Sequence, residues 1–126
     1  MLRCVLIAAL AALLALPSAA QSTRPFPATA LRGVLRITQP PEALLNDLPV
    51  RLSPGARIHG TDNLLQLSGA LAGRPLLVHY TIEATGGVHD VWILSPDEAA
   101  RQPWPTTASE AQRWEFNPAA QTWTRR

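Results

Sequence analysis

The sequence predicts a small all-β barrel followed by a tail of a different texture. Three observations carry that expectation. Short runs of alternating apolar and polar residues recur between Leu31 and Leu94, each bounded by Gly, Pro, Asn or Asp. Once an N-terminal leader is set aside, about one hundred residues remain, enough for one domain and one modest core. The last thirty or so residues exchange strand periodicity for helix caps, prolines and three of the four tryptophans. A domain of this size with five or six short antiparallel strands and a turn signal after each fits a partly open barrel of the OB or SH3 type.

The chain opens MLRCVLIAALAALLALPSAA. A basic residue at Arg3, an apolar run from Cys4 to Leu16, and Pro17 followed by small side chains read as a secretory signal peptide over residues 1–20. A spanning helix needs about 20 apolar residues, so the run is too short to be a membrane anchor. The expectation is therefore a periplasmic or secreted protein with no membrane span after cleavage. The single cysteine, Cys4, would leave with the leader, and with it any disulfide, thiolate nucleophile or cysteine-ligated zinc. No lysine occurs, which removes Schiff-base chemistry. Arg3 would leave as well, so ten arginines against nine acids give a net charge of about +1. Those arginines are scattered from Arg24 to Arg126, not gathered into the basic face that nucleic acid requires, and nucleic acid is not an expected partner.

Residues 21–30, QSTRPFPATA, lack periodicity and read as a flexible lead-in. The barrel is expected over residues 31–95. LRGVLRIT, residues 31–38, places Leu31, Gly33, Leu35 and Ile37 in alternation and ends at Gln39-Pro40-Pro41. In EALLNDLPVRL the Asn46-Asp47 pair suits a two-residue hairpin turn, because both tolerate positive φ. Pro49 cannot donate to a ladder and belongs at an edge or a non-bonded position. SPGARIHG, residues 53–60, reads as a turn that points Ile58 inward and leaves His59 exposed, and NLLQLSG as a short strand.

HYTIEATGGVHDVWIL closes the barrel as a long hairpin. A three-residue loop, Ala84-Thr85-Gly86, with Gly86 in the left-handed position would set Ile82 against Val88, Tyr80 against Asp90 and Val78 against Trp92. The core face would then be Leu76, Val78, Tyr80, Ile82, Val88, Trp92 and Leu94, interrupted by Asp90. A two-residue Gly86-Gly87 turn would instead put Trp92 on the histidine-bearing face.

Residues 96–126 form the tail. SPDE sets a serine cap, a proline in the first turn and a glutamate that can reach back to the cap, which predicts a short helix over residues 96–102. Pro103-Trp104-Pro105 stops it, and TASE repeats the capping pattern to start a second helical turn ending near Arg113. WEFNPAAQTWTRR then turns at Asn117-Pro118 and returns through Trp123 as a terminal hairpin packing on the barrel.

The segments LRGVLRI, LLNDLPVRLSPGARI and LSGALAGRPLLVHYTIEATGGVHDVWIL resemble short exported bacterial β-barrel domains of unknown function. With the Trp-rich tail, the pattern is also similar to uncharacterised small periplasmic proteins of Gram-negative bacteria. The resemblance implies a fold and an exported location, and it brings no catalytic residue.

Candidate site residues fall into two groups. In the expected register His79 and His89 are diagonal neighbours on one face with Glu83 beside His89, a set that could hold zinc or copper; the plainer reading is three solvated side chains on an outer face. Trp104, Trp114 and Trp123 either clamp over an open barrel end and complete its core or stay exposed to stack on an envelope glycan or anchor a protein partner. No Ser-His-acid arrangement or nucleophile elbow is legible: Ser68 lacks the flanking glycine, and Ser53 and Ser95 have turn and capping explanations. The sequence calls for no cofactor and no catalytic residue. The expectation is a non-enzymatic envelope binding or accessory module, with a small periplasmic metal-binding protein as the alternative.

Overall fold

The computed structural model describes residues 23–126; the expected signal peptide over residues 1–20 lies outside them. Eight strands form: β1 (Leu31–Ile37), β2 (Glu42–Leu45), β3 (Leu48–His59), β4 (Leu65–Gln66), β5 (Pro75–Ile82), β6 (Val88–Ile93), β7 (Glu115–Asn117) and β8 (Thr122–Thr124). A 3-10 turn spans Ser68–Leu71, and two short helices, α1 (Pro96–Ala99) and α2 (Ala108–Arg113), sit in the tail. Strands β1, β2, β3, β6 and β5 pair in a ring that closes on itself, with β4 added at the far end of β3.

The small all-β barrel is present, with two differences from expectation. It is closed where a partly open barrel was expected, and the pairing is mixed where it was expected to be antiparallel throughout. β3 and β6 run parallel, through Leu52↔Val88 and Arg57↔Asp90. The reason is arithmetic: an odd number of strands cannot alternate direction all the way round a ring, so one seam must be parallel. The chain reaches β5 from β3 across the barrel by way of β4 and the 3-10 turn, which gives the Greek-key arrangement of OB-type barrels.

Local chemistry explains the turns. Asn46 and Asp47 have φ of 52° and 66°, the conformation a two-residue hairpin demands. The Asn46 side chain folds back so that its Oδ1 accepts from the Val34 amide at 2.9 Å. Gly33 makes room for it, because a Cβ there would lie 3.1 Å from both terminal atoms of Asn46. At the β5–β6 loop, Gly86 has φ of 92° and donates to the Glu83 carbonyl, while Glu83 donates to Gly87. The three-residue loop 84–86 is thus the one the sequence predicts.

Beyond that loop the predicted register holds only at Ile82↔Val88. A bulge follows, and Tyr80 pairs with Val91, His79 with Trp92 and Val78 with Ile93. Thr81 faces the extra residue and its Oγ1 accepts from the Asp90 amide at 3.1 Å. One inserted residue inverts the alternation. Val91 enters the core in place of Asp90, so no carboxylate faces the interior, and Trp92 and Leu94 move from the expected inner face to the outside of the barrel. Ile82 is exposed.

The interior is filled by Leu35, Ile37, Val78, Val88 and Val91, all fully buried, with Leu45, Leu52, Ile58, Leu71 and Tyr80 around them. A second core lies on the outer wall of β1, β5 and β6. It contains Phe26, Ala30, Leu94, Trp104 and Trp123, with Trp92, Trp114 and Phe116 packed against it. The tail therefore covers the side of the barrel and not an end. Residues 23–30, expected to be a flexible lead-in, are part of this layer: Phe26 is 3% exposed, and its backbone amide donates to Oε1 of Gln121. Helix α1 has the predicted capping box between Ser95 and Glu98 but stops at Ala99, short of residue 102. The terminal hairpin pairs Phe116 with Trp123.

Candidate functional site

Two places on the barrel gather polar side chains. The first is the contact between the tail and the outer wall. Arg32, His79 and Trp92 form one cross-strand row over β1, β5 and β6. His79 was expected on a solvated face next to His89; it is 1% exposed instead, because the bulge aligns it with Trp92 and the tail closes over both. Its ring stacks on Trp104 at 4.0 Å and meets the edge of Phe26 at 4.5 Å. The Arg32 guanidinium donates through Nε to His79 Nε2 at 3.2 Å and through Nη1 and Nη2 to the carbonyls of Ala99 and Glu98.

Burial pushes the His79 pKa down to about 3, and the neighbouring Arg32 charge pushes the same way. The ring is therefore neutral, with its Nε2 lone pair committed to Arg32. Arg24 grips Glu98 with two bonds, at 2.8 and 2.6 Å, and also donates to the carbonyls of Gly60 and Ile93. Burial works to raise the Glu98 pKa, but the Arg24 bonds and the Ser95 amide outweigh it and hold the carboxyl below its ordinary range. Every charged group here ties one segment to another, so the network is a clasp for the lead-in and the tail.

The second place is a cleft of about 900 Å³ at one end of the barrel. Its rims are Pro40 and Pro41 of the β1–β2 loop, Thr85 to Gly87 of the β5–β6 loop, and Gln66 to Ser68 at the end of β4. The floor is β3 from Leu52 to Ile58. The expectation of a turn over residues 53–60 is corrected here: residues 53–59 continue β3, bent by a second irregularity. Between the Leu52↔Val88 and Arg57↔Asp90 pairs, residues 53–56 of β3 lie opposite the single residue His89 of β6. Prolines inside sheets are confined to edges and bulges, and Pro54 occupies this one.

Ser53, His89 and Glu83 meet beneath the bulge. Ser53 Oγ lies 3.2 Å from His89 Nδ1, and Glu83 Oε2 lies 3.7 Å from the same nitrogen. A serine nucleophile uses both faces of its histidine, one nitrogen for the hydroxyl and the other for the orienting acid. Here both partners address Nδ1, and Ser53 is itself buried. The trio pins the bulge to the β5–β6 loop, with Thr85 donating to Glu83 at 2.6 Å.

The structure brings His89 and Glu83 together but separates them from His79, which is enclosed by the tail; among the described residues no group of three or more His, Cys, Asp or Glu side chains is placed to hold a metal ion. His59, expected to be exposed, is half-buried and stacks on Trp92 at 5.6 Å. Trp104 and Trp123 are each 5% exposed and offer no free ring face, and Trp104 Nε1 donates to the Ala30 carbonyl at 3.0 Å. Trp114 is half-buried beside a smaller hollow of about 570 Å³, with Arg125 over its ring at 5.2 Å. Ser53 and the β3 bulge were missed from sequence; the signal available was Pro54-Gly55 inside an otherwise strand-like run. Among the described residues no helix is long and apolar enough to cross a membrane. The chain matches no family model, no curated protein and no solved structure.

Proposed function

We propose that the protein is an exported, non-enzymatic binding or accessory module of the bacterial envelope, and that it takes its partner, a protein or a glycan, in the cleft over the β3 bulge. The observation that carries this reading is the cleft itself, an open concavity set between three loops and lined by both apolar and polar side chains. Barrels of the OB type use this region, the face of the second and third strands with the flanking loops, to bind extended ligands. The leader pattern in residues 1–20 supports export, as does the resemblance of the barrel segments to exported bacterial domains. The polar clusters at the tail and beneath the β3 bulge join parts of the fold to one another, which supports binding over catalysis.

The test is site-specific photocrosslinking in exporting cells. A photoreactive residue at Leu67, which is 80% exposed on the cleft wall, should give a discrete adduct, whereas one at Leu48, 67% exposed and away from the cleft, should not. Equal labelling from both positions, or none from Leu67, would remove the cleft from consideration. Sequencing the exported chain from its new N-terminus should read Gln21 first.

A further inference from the structure

We propose that the hollow lined by Arg32 and Arg125 binds a small oxyanion of single negative charge, a carboxylate or a phosphodiester. This site is separate from the cleft, and the crosslink at Leu67 is independent of it. It begins with a charge that lacks its opposite. Arg32 is 8% exposed, yet its guanidinium forms no ion pair among the described residues. Its partners are the neutral His79 ring and the backbone carbonyls of Ala99 and Glu98. Buried charges are as a rule paired with an opposite one. The Glu98 carboxylate is committed to Arg24 instead. Burial lowers the Arg32 pKa, and the Glu98 charge offsets this only in part. Three of the five guanidinium N–H groups are used, so one on each terminal nitrogen is left without an acceptor among the described residues.

Arg32 lines the hollow of about 570 Å³, a volume within the range of small-molecule sites. Arg125, just beyond β8, lines the same hollow and likewise forms no ion pair among the described residues. The ring of Trp114 holds it, 5.2 Å from the guanidinium carbon, through a cation–π contact. Glu110 supplies the opposing charge in the lining, and its Oε1 already accepts from the Thr106 amide and from the hydroxyls of Thr106 and Thr107. Two arginines against one carboxylate leave the hollow at about +1, which one negative charge neutralises. Guanidinium forks match the paired oxygens of carboxylates and phosphates. A cation is repelled there, and a neutral ligand leaves the Arg32 charge as uncompensated as before.

The experiment titrates the exported protein, labelled with ¹⁵N, with glucuronate, with dimethyl phosphate and with glucose as the neutral control, and follows the Nε–Hε signals of Arg32 and Arg125. The expected result is a shift of both signals by at least one anion and by neither signal with glucose; the tighter anion shows whether carboxylate or phosphodiester is the natural group. Arg125→Gln should weaken the better anion by about fivefold or more, and Glu110→Gln should tighten it by about threefold or more. Neither residue belongs to the Arg24–Glu98 and Arg32–His79 clasp, so both variants keep the fold on which the test depends. Trp114→Ala should weaken binding in the parent protein but not in the Arg125→Gln protein, because Trp114 acts by positioning Arg125. Four results overturn the site: no shift at Arg32 with either anion, a response to glucose equal to that with the anions, unchanged affinity in Arg125→Gln, or weaker binding in Glu110→Gln.

Discussion

His79 shows how a single enclosed side chain sets the response of the whole fold to acid. Its pKa is about 3 in the folded chain and near 6.5 when exposed, so between these values the unfolded chain binds the proton that the folded one refuses. Stability contributed by the neutral ring is fully present above about pH 6.5 and is lost as pH falls towards 3, by roughly 5 kcal/mol across the window. Glu98, whose folded pKa is lowered, adds acid sensitivity only below its own unfolded range. Urea titrations from pH 7.5 downward should therefore show stability falling already between about pH 6.5 and 5. His79→Leu should abolish that upper segment of the slope and keep the lower one; an unchanged slope would mean that the ring is not the titrating group. Trp123 makes a second case. Among the described residues its buried Nε1 has no partner, so Trp123→Phe should change stability by less than about 1 kcal/mol, while Trp123→Ala opens a cavity and should cost about 3 to 5 kcal/mol. Thermal denaturation of the pair separates the cost of the ring from that of its polar atom.

At the scale of elements, α1 is a fastener more than a helix. Four residues cannot hold a helix by propensity, and its stability comes from the Ser95–Glu98 capping box together with the Arg24 clasp. The two contributions separate by mutation. Ser95→Ala removes the cap alone and should cost about 1 kcal/mol. Glu98→Gln keeps an acceptor for the Ser95 amide but leaves the Arg24 guanidinium buried without its counter-charge, and should cost about 3 to 5 kcal/mol. Equal costs would show that the ion pair adds nothing beyond the cap. Capping and hairpin turns were legible in the sequence because their chemistry is local: Asn46-Asp47, Gly86 and SPDE each dictate a conformation within four residues. The two bulges were not, because their cause is non-local. The sequence did hold a trace of the β6 bulge in Asp90, a carboxylate breaking an otherwise apolar face. The inserted residue removes that conflict, and the same shift carries Trp92 to the outer wall beside His79 and takes His89 out of reach of a metal site shared with it.

For the molecule as a whole, the question is whether the tail is an accessory to the barrel or part of its stability. The barrel interior is small, and on its outer wall His79 lies between Phe26 of the lead-in and Trp104 of the tail, while Phe26 meets Trp92 and Trp104 edge-on. The partners of the lead-in lie far along the chain, Gln121 being 95 residues beyond Phe26, which is why a local reading of residues 21–30 saw only a flexible stretch. Removing residues 96–126 would expose the Arg32–His79–Trp92 row to water and take away Glu98, leaving Arg24 without its ion pair and the outer wall as an apolar patch. Deletions of surface appendages leave a melting transition in place; deletion of half a core does not. A protein ending at Ser95 should thus lose at least about 15 °C of thermal midpoint, or its cooperative transition altogether, since each kcal/mol is worth about 4 to 8 °C in a domain of this size. Trp114→Ala, at the half-buried rim of the same layer, should cost far less than Trp104→Ala. If the shortened protein instead melts cooperatively near the midpoint of the full one, the outer layer is not a second core, and the clasp built on Arg24, Arg32, His79 and Glu98 holds the tail in place without supporting the barrel.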